Sequence, residues 1–82
     1  MKNLRIDLNK FGKNVKNLRE SNGYSQNELI EIINGRYASA KWNKSTLSRW
    51  ENGKCMMDMT NAVIFCDYFG VPFDELVEVV SN

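Results

Sequence analysis

Two stretches decide the fold, residues 25–29, SQNEL, and residues 43–54, NKSTLSRWENGK. In the first, Ser25 and Glu28 have the spacing of a capping box. The serine hydroxyl takes a backbone N–H at the start of a helix and the glutamate reaches back to the cap. Tyr24 and Leu29 are at the positions of a hydrophobic staple. Leu29, Ile30, Ile32 and Ile33 follow, and Asn34-Gly35 reads as a stop. In the second stretch Asn43 caps a helix expected over residues 44–52, which Gly53 ends. Trp42 and Leu47 repeat the staple spacing. On this helix Lys44, Ser45, Thr46, Ser48 and Arg49 are polar, whereas Leu47 and Trp50 are spaced to pack inward.

The flanking sequence is punctuated the same way. Asp7 caps a helix expected over residues 8–21, whose apolar positions Leu8, Phe11, Val15 and Leu18 share one helical face. Ile6 and Phe11 form its staple, and Asn22-Gly23 stops it. Asp58 caps a fourth helix over residues 59–69. Its expected inner face is Met59, Ala62, Cys66 and Phe69, with Val63, Ile64 and Phe65 partly shared. Gly70 ends that helix, and Pro72 opens a short fifth one with Phe73, Leu76, Val77 and Val80 on one side. Residues 35–42, GRYASAKW, read either as a loop or as a continuation of helix 2. Leu4, Ile6 and Leu8 alternate over too short a run to predict a strand. Five helices with short connections predict one compact all-α domain.

The SQNEL stretch, the run from Ser45 to Lys54, and the continuation through Asp58–Phe69 into Gly70–Leu76 resemble the phage-repressor-like helix-turn-helix family, of the Cro/CI or XRE type. The resemblance covers about residues 8–80. It implies a five-helix bundle of the lambda-repressor-like type, a single DNA-binding domain spanning residues 1–82, transcriptional regulation and frequent dimerisation. A helix-turn-helix joins its helices by about 3–4 residues; here the stretch between Gly35 and Trp42 is longer by about seven.

The resemblance also distributes roles. Lys44, Ser45 and Arg49 match base-reading positions, and Thr46 offers a methyl contact. Lys and Arg favour guanine O6 and N7, so a G·C contact is expected in each half-site. Gln26, at a helix N-terminus where free N–H groups favour phosphate, matches a backbone contact. Asn43, Ser48, Asn52 and Lys54 are further phosphate candidates. Arg36, Tyr37 and Lys41 in the longer connection are also placed to meet backbone, or serve only solubility. Arg19 and Glu51 match a partly buried structural ion pair.

Charge agrees with this reading. Residues 1–54 hold all 11 Lys and Arg against five acids, a balance of +6, while residues 55–82 hold five acids and no base, −5. One face therefore suits a polyanion and another suits something else. The acidic part, with Phe73, Val77, Val79 and Val80, forms an apolar end suited either to core closure or to a homodimer through residues 73–80, within a dimerisation element at 72–82. A dimer sets two recognition helices about 34 Å apart and prefers an inverted-repeat operator.

Enzymatic readings are excluded most readily. There is no histidine, no phosphate-binding glycine loop and no nucleophile elbow. Cys55 and Cys66 lack a zinc spacing, so no metal or other cofactor is expected. The longest apolar run, Ala62 to Cys66, is far short of the about 20 residues of a membrane span. The first residues lack the apolar region of a secretion signal, and a cytoplasmic protein is expected. Two functions stand: a DNA-binding regulator, most simply a repressor that occludes a promoter, and an antitoxin-like or adaptor module whose partner is another protein.

Overall fold

A computed structural model describes residues 2–81. The elements run β1 (Leu4–Ile6), α1 (Leu8–Ser21), α2 (Gln26–Arg36), α3 (Lys44–Glu51), α4 (Met59–Phe69), a single 3-10 turn (Phe73–Glu75) and β2 (Val79–Ser81). Each helix begins at a side-chain cap. Asp7 accepts from the Lys10 N–H at 3.1 Å, Asn43 from Thr46 at 2.8 Å and Asp58 from Asn61 at 2.8 Å. At α2 the Ser25 hydroxyl accepts from the Glu28 N–H at 3.1 Å, and the Glu28 carboxylate accepts from the Ser25 N–H at 2.9 Å. Each cap satisfies an otherwise unpaired N-terminal N–H, which stabilises a helix by about 1 kcal/mol.

The core is one cluster. Phe11 and Val15 of α1, Leu29 and Ile33 of α2, Leu47 and Trp50 of α3, and Phe65 of α4 are buried together, with Leu76 closing the base. Trp42 stands edge-on to Trp50, ring centroids 5.2 Å apart at 82°, and stacks on Phe65 at 6.4 Å and 20°. Gly12 lets α1 approach the end of α3 closely. A Cβ there would stand 2.6 Å from the Trp50 carbonyl oxygen.

Four expectations are corrected. Helix 2 does not stop at Asn34-Gly35 but runs on to Arg36. Gly23, Gly53 and Gly70 take the left-handed conformation of helix stops and Gly35 does not. Asn34 is engaged elsewhere: its side chain accepts from the Trp42 N–H and donates to the Trp42 carbonyl, both at 2.8 Å. That pair of bonds holds the long connection as a loop in which Ala40 and Trp42 are buried.

The fifth helix does not form, so the described residues hold four α-helices rather than five. After Pro72 the chain makes one 3-10 turn and then extends. β-Branched Val77, Val79 and Val80 favour the extended form, and an open strand lies ready to receive them. That strand was too short to predict from sequence. Leu4, Arg5 and Ile6 pair antiparallel with Ser81, Val80 and Val79, and the Asp7 N–H adds a bond to the Glu78 carbonyl at 2.9 Å.

The inner face of α4 is rotated from the expected one. Ala62, Ile64 and Phe65 are buried and Cys66 and Phe69 half-buried, but Met59 is 80% and Val63 63% exposed. The rotation follows from Trp42, whose indole N–H donates to the Asn61 side chain at 2.8 Å. The long connection thus recruits one flank of α4 and leaves the other bare. Helix 3 ends at Glu51, one residue before the expected Asn52, which is its C-cap. Among the described residues no helix is long and apolar enough to cross a membrane.

Candidate nucleic-acid interface

Helix α3 is built with two sides. Leu47, Trp50 and Glu51 are buried against the bundle, while Lys44, Ser45 and Arg49 are exposed. Thr46 and Ser48 lie at the margin, half-buried. Leu47 falls between Lys44 and Arg49 in sequence yet on the opposite side, as helical spacing requires. The helix is eight residues long, about 12 Å at the α-helical rise.

The inner side is clamped by ion pairing as well as by apolar packing. The Arg19 guanidinium meets the Glu51 carboxylate with two parallel bonds, Nε to Oε2 at 2.7 Å and Nη2 to Oε1 at 2.9 Å. Their side chains are 8% and 4% exposed. Arg19 Nη1 also donates to the Tyr24 carbonyl at 2.9 Å, tying the α1–α2 turn into the network. The Glu51 hydrogen bond raises the Arg19 pKa above its ordinary value, against an opposing effect of burial. Bidentate geometry with further hydrogen bonds is the condition under which a buried pair offsets its desolvation.

The network extends to two expected phosphate contacts. Gln26 Nε2 donates to Glu51 Oε1 at 3.1 Å, and Gln26 Oε1 accepts from the Ser48 hydroxyl at 3.3 Å. Gln26 therefore joins the start of α2 to α3 and keeps one amide N–H for another acceptor. Asn43 uses its side-chain oxygen to cap α3 and is itself exposed. Asn52 and Lys54 are exposed just beyond α3, where Gly53 turns the chain with φ +70°.

The sequence assigns α1 to the core and, through Arg19, to the pair with Glu51, and gives no role to its outer face. Asn9, Lys13 and Lys16 line, with Glu51 and Asn52, an open concavity of about 330 Å³ at the C-terminal end of α3. The Gly12 contact and the packing of Asn9 against Gly53 bring α1 there. The signal was present in the spacing: residues 9, 13 and 16 lie 4 and 3 apart on one side of the helix. Among the described residues, ion pairs within 4.0 Å are Lys10–Glu78 and Arg19–Glu51, so Lys13, Lys16, Lys44, Arg49 and Lys54 are unpaired.

The long connection does not cover this face. The Arg36 guanidinium carbon lies 5.3 Å from the Tyr68 ring centroid, and the Tyr37 hydroxyl donates to Asp67 at 2.6 Å. That bond to a carboxylate raises the Tyr37 pKa. Both partners belong to α4, so the connection folds onto that helix and leaves Lys44, Ser45 and Arg49 open. Lys41 is exposed. Cys55 and Cys66 are free thiols, and burial pushes the Cys66 pKa up. Among the described residues no three His, Cys, Asp or Glu side chains are grouped to hold a metal ion.

Known proteins share this fold. The chain is similar to the DNA-binding domain of BldD from S. venezulae, at 22% identity and a TM-score of 0.71 over 88% of this chain and 97% of that one. A crystal structure of the DNA-binding domain of BldD gives a TM-score of 0.70 at 22% identity, over 88% and 94%. At that identity the likeness is one of fold. No curated protein sequence matches the chain significantly. A sequence description of the helix-turn-helix family matches residues 15–76, from the middle of α1 through the 3-10 turn, and the chain belongs to that family, in its Cro/CI or XRE type.

Proposed function

We propose that this chain is a sequence-specific regulator that binds double-stranded DNA as one domain and reads the major groove with α3. The observation that carries the reading is the division of α3 into a clamped inner side and an open outer side bearing Lys44, Ser45 and Arg49. A groove about 12 Å wide admits such a helix, and each base pair shows it a distinct donor and acceptor pattern. Lys44 and Arg49 are assigned to guanine O6 and N7, Thr46 to a thymine methyl and Ser45 to either base type.

Phosphate contacts frame the helix. Gln26, Asn43, Ser48, Asn52 and Lys54 are assigned to one run of backbone, and Asn9, Lys13 and Lys16 extend it along α1. Gln26 and Ser48 exchange their mutual bond for phosphate when DNA arrives. The chain does this without chemistry of its own, as a repressor that occludes a promoter. Self-association through residues 73–80 places two α3 helices one DNA turn apart on an inverted repeat. Within that stretch Val79, 60% exposed on β2, offers the apolar contact. The family assignment and the DNA-binding domains of similar fold support the reading.

The test is selection of bound fragments from a random duplex pool, followed by gel shifts on single-base variants. The expected outcome is an inverted repeat with at least one G·C position per half-site whose replacement weakens binding by about 1–3 kcal/mol. Equal affinity for every G·C replacement removes the base-reading assignment.

A further inference from the structure

The rotation of α4 leaves an open apolar groove between this helix and the turn that follows it, about 480 Å³ in volume. Met59, Val63 and Cys66 form one wall, and Val71 and Phe73 the other. Phe73 is 40% exposed, so two large apolar side chains here, Met59 and Val63, stand largely in water and a third in part. Asp67 is the one charged residue in the lining. Asp58 precedes Met59 and Asp74 follows Phe73 in the sequence, both exposed. Residues 55–81 contain no Lys or Arg, and Arg36 meets α4 over Tyr68, outside the groove lining.

From this we infer that the α4 groove docks an amphipathic segment of a partner protein, apolar on one side and flanked by Lys or Arg. The argument is charge complementarity around an apolar strip. A groove with Asp67 in its wall, a carboxylate that also accepts from Tyr37, and with exposed aspartates next in sequence to Met59 and Phe73 attracts basic flanks while the apolar face supplies affinity. Methionine suits such a surface because its unbranched side chain adapts to what is laid against it. DNA is repelled by the same carboxylates. A second copy brought up by a two-fold axis sets Asp58, Asp67 and Asp74 of one chain against those of the other, which like-charge repulsion opposes. Within the 73–80 stretch, self-association is therefore assigned to Val79 and Val80 on β2 and not to Phe73 or Asp74, which leaves the groove to a different protein while α3 holds DNA.

The experiment titrates the whole chain with two synthetic helical peptides of about 14 residues, with leucines at helical spacing and the remaining positions either all Lys or all Glu. Binding is read by fluorescence polarisation and by methyl NMR shifts at Met59 and Val63. The Leu/Lys peptide is expected to bind at least about tenfold tighter than the Leu/Glu peptide. Met59→Ser/Val63→Ser, at exposed positions and checked for an unchanged melt, is expected to weaken it at least about tenfold. Asp74→Asn is expected to weaken it less. Equal binding of the two peptides, binding indifferent to the serine pair, or no binding overturns the inference. So does a dimer in sedimentation equilibrium that the serine pair dissolves, because a second copy then fills the groove. None of these readouts involves DNA, so the inference stands or falls separately from the operator assignment.

Discussion

Gly12 of α1 lies against the backbone of Glu51, so close that a Cβ at Gly12 would stand 2.5 Å from the Glu51 carbonyl oxygen. Backbone, unlike the tip of a side chain, cannot turn aside. Gly12→Ala should push α1 away from the end of α3 and destabilise by about 1–3 kcal/mol. Urea denaturation followed by Trp42 and Trp50 fluorescence measures this, and an unchanged midpoint contradicts the contact.

Breaking the Arg19–Glu51 pair should cost more. Glu51→Ala leaves a buried guanidinium with one carbonyl partner, at about 3–5 kcal/mol. Replacing both residues, as Arg19→Met with Glu51→Leu, should recover much of the loss, since the penalty lies in the stranded charge. Thermal melts of the three proteins separate these cases; a Glu51→Ala protein that melts like the parent rules out the buried role.

The α2 capping box carries a pH dependence. Hydrogen bonds from the Ser25 backbone and side chain lower the Glu28 pKa below its ordinary 4.5. The unfolded chain then binds more protons than the folded one in this range, so stability rises with pH. The contribution is complete above about 4.5 and is lost as pH falls through the lower folded value. Glu28→Gln should flatten stability against pH in that window, as read from denaturation midpoints. Ser25→Ala should cost about 1 kcal/mol near neutral pH.

Salt would separate the two proposed kinds of DNA contact. Each phosphate neutralised contributes about 0.9 to the slope of log affinity against log salt. Lys13→Ala/Lys16→Ala should reduce that slope by about 2 and weaken all sequences alike. Arg49→Ala should instead relax preference at one base position. Gel shifts at several salt concentrations decide. If the parent binds and the lysine pair changes nothing, α1 is not on the backbone.

The long connection should prove structural. Asn34→Ala leaves the Trp42 N–H and carbonyl without their partners, at about 1–3 kcal/mol. The loss should show in stability, while any change in base preference would place the loop at the DNA instead.

Helix starts were legible because capping is local: Asp7, Ser25, Asn43 and Asp58 each act within three residues of themselves. What failed was set by distant partners. Asn34-Gly35 has the form of a stop, but Trp42, eight residues on, claims the asparagine. The face of α4 was misjudged because that same tryptophan selects Asn61 and Phe65 over Met59 and Val63. Leu4–Ile6 gave no usable signal, since its strand partner lies at the far end of the sequence. At the candidate interface, polar residues of α3 are legible from one helix, whereas Lys13 and Lys16 need the packing of a second.

The pairing of Leu4 with Ser81 and Ile6 with Val79 draws the chain into a closed ring. Because the two strands run antiparallel with residues 4 and 81 as neighbours, a load applied through both ends peels their backbone bonds one at a time rather than shearing them together. The four helices are then exposed to tension only after the clasp has opened. Mechanically, the bundle is held by a latch that yields first and spares the part that would grip DNA.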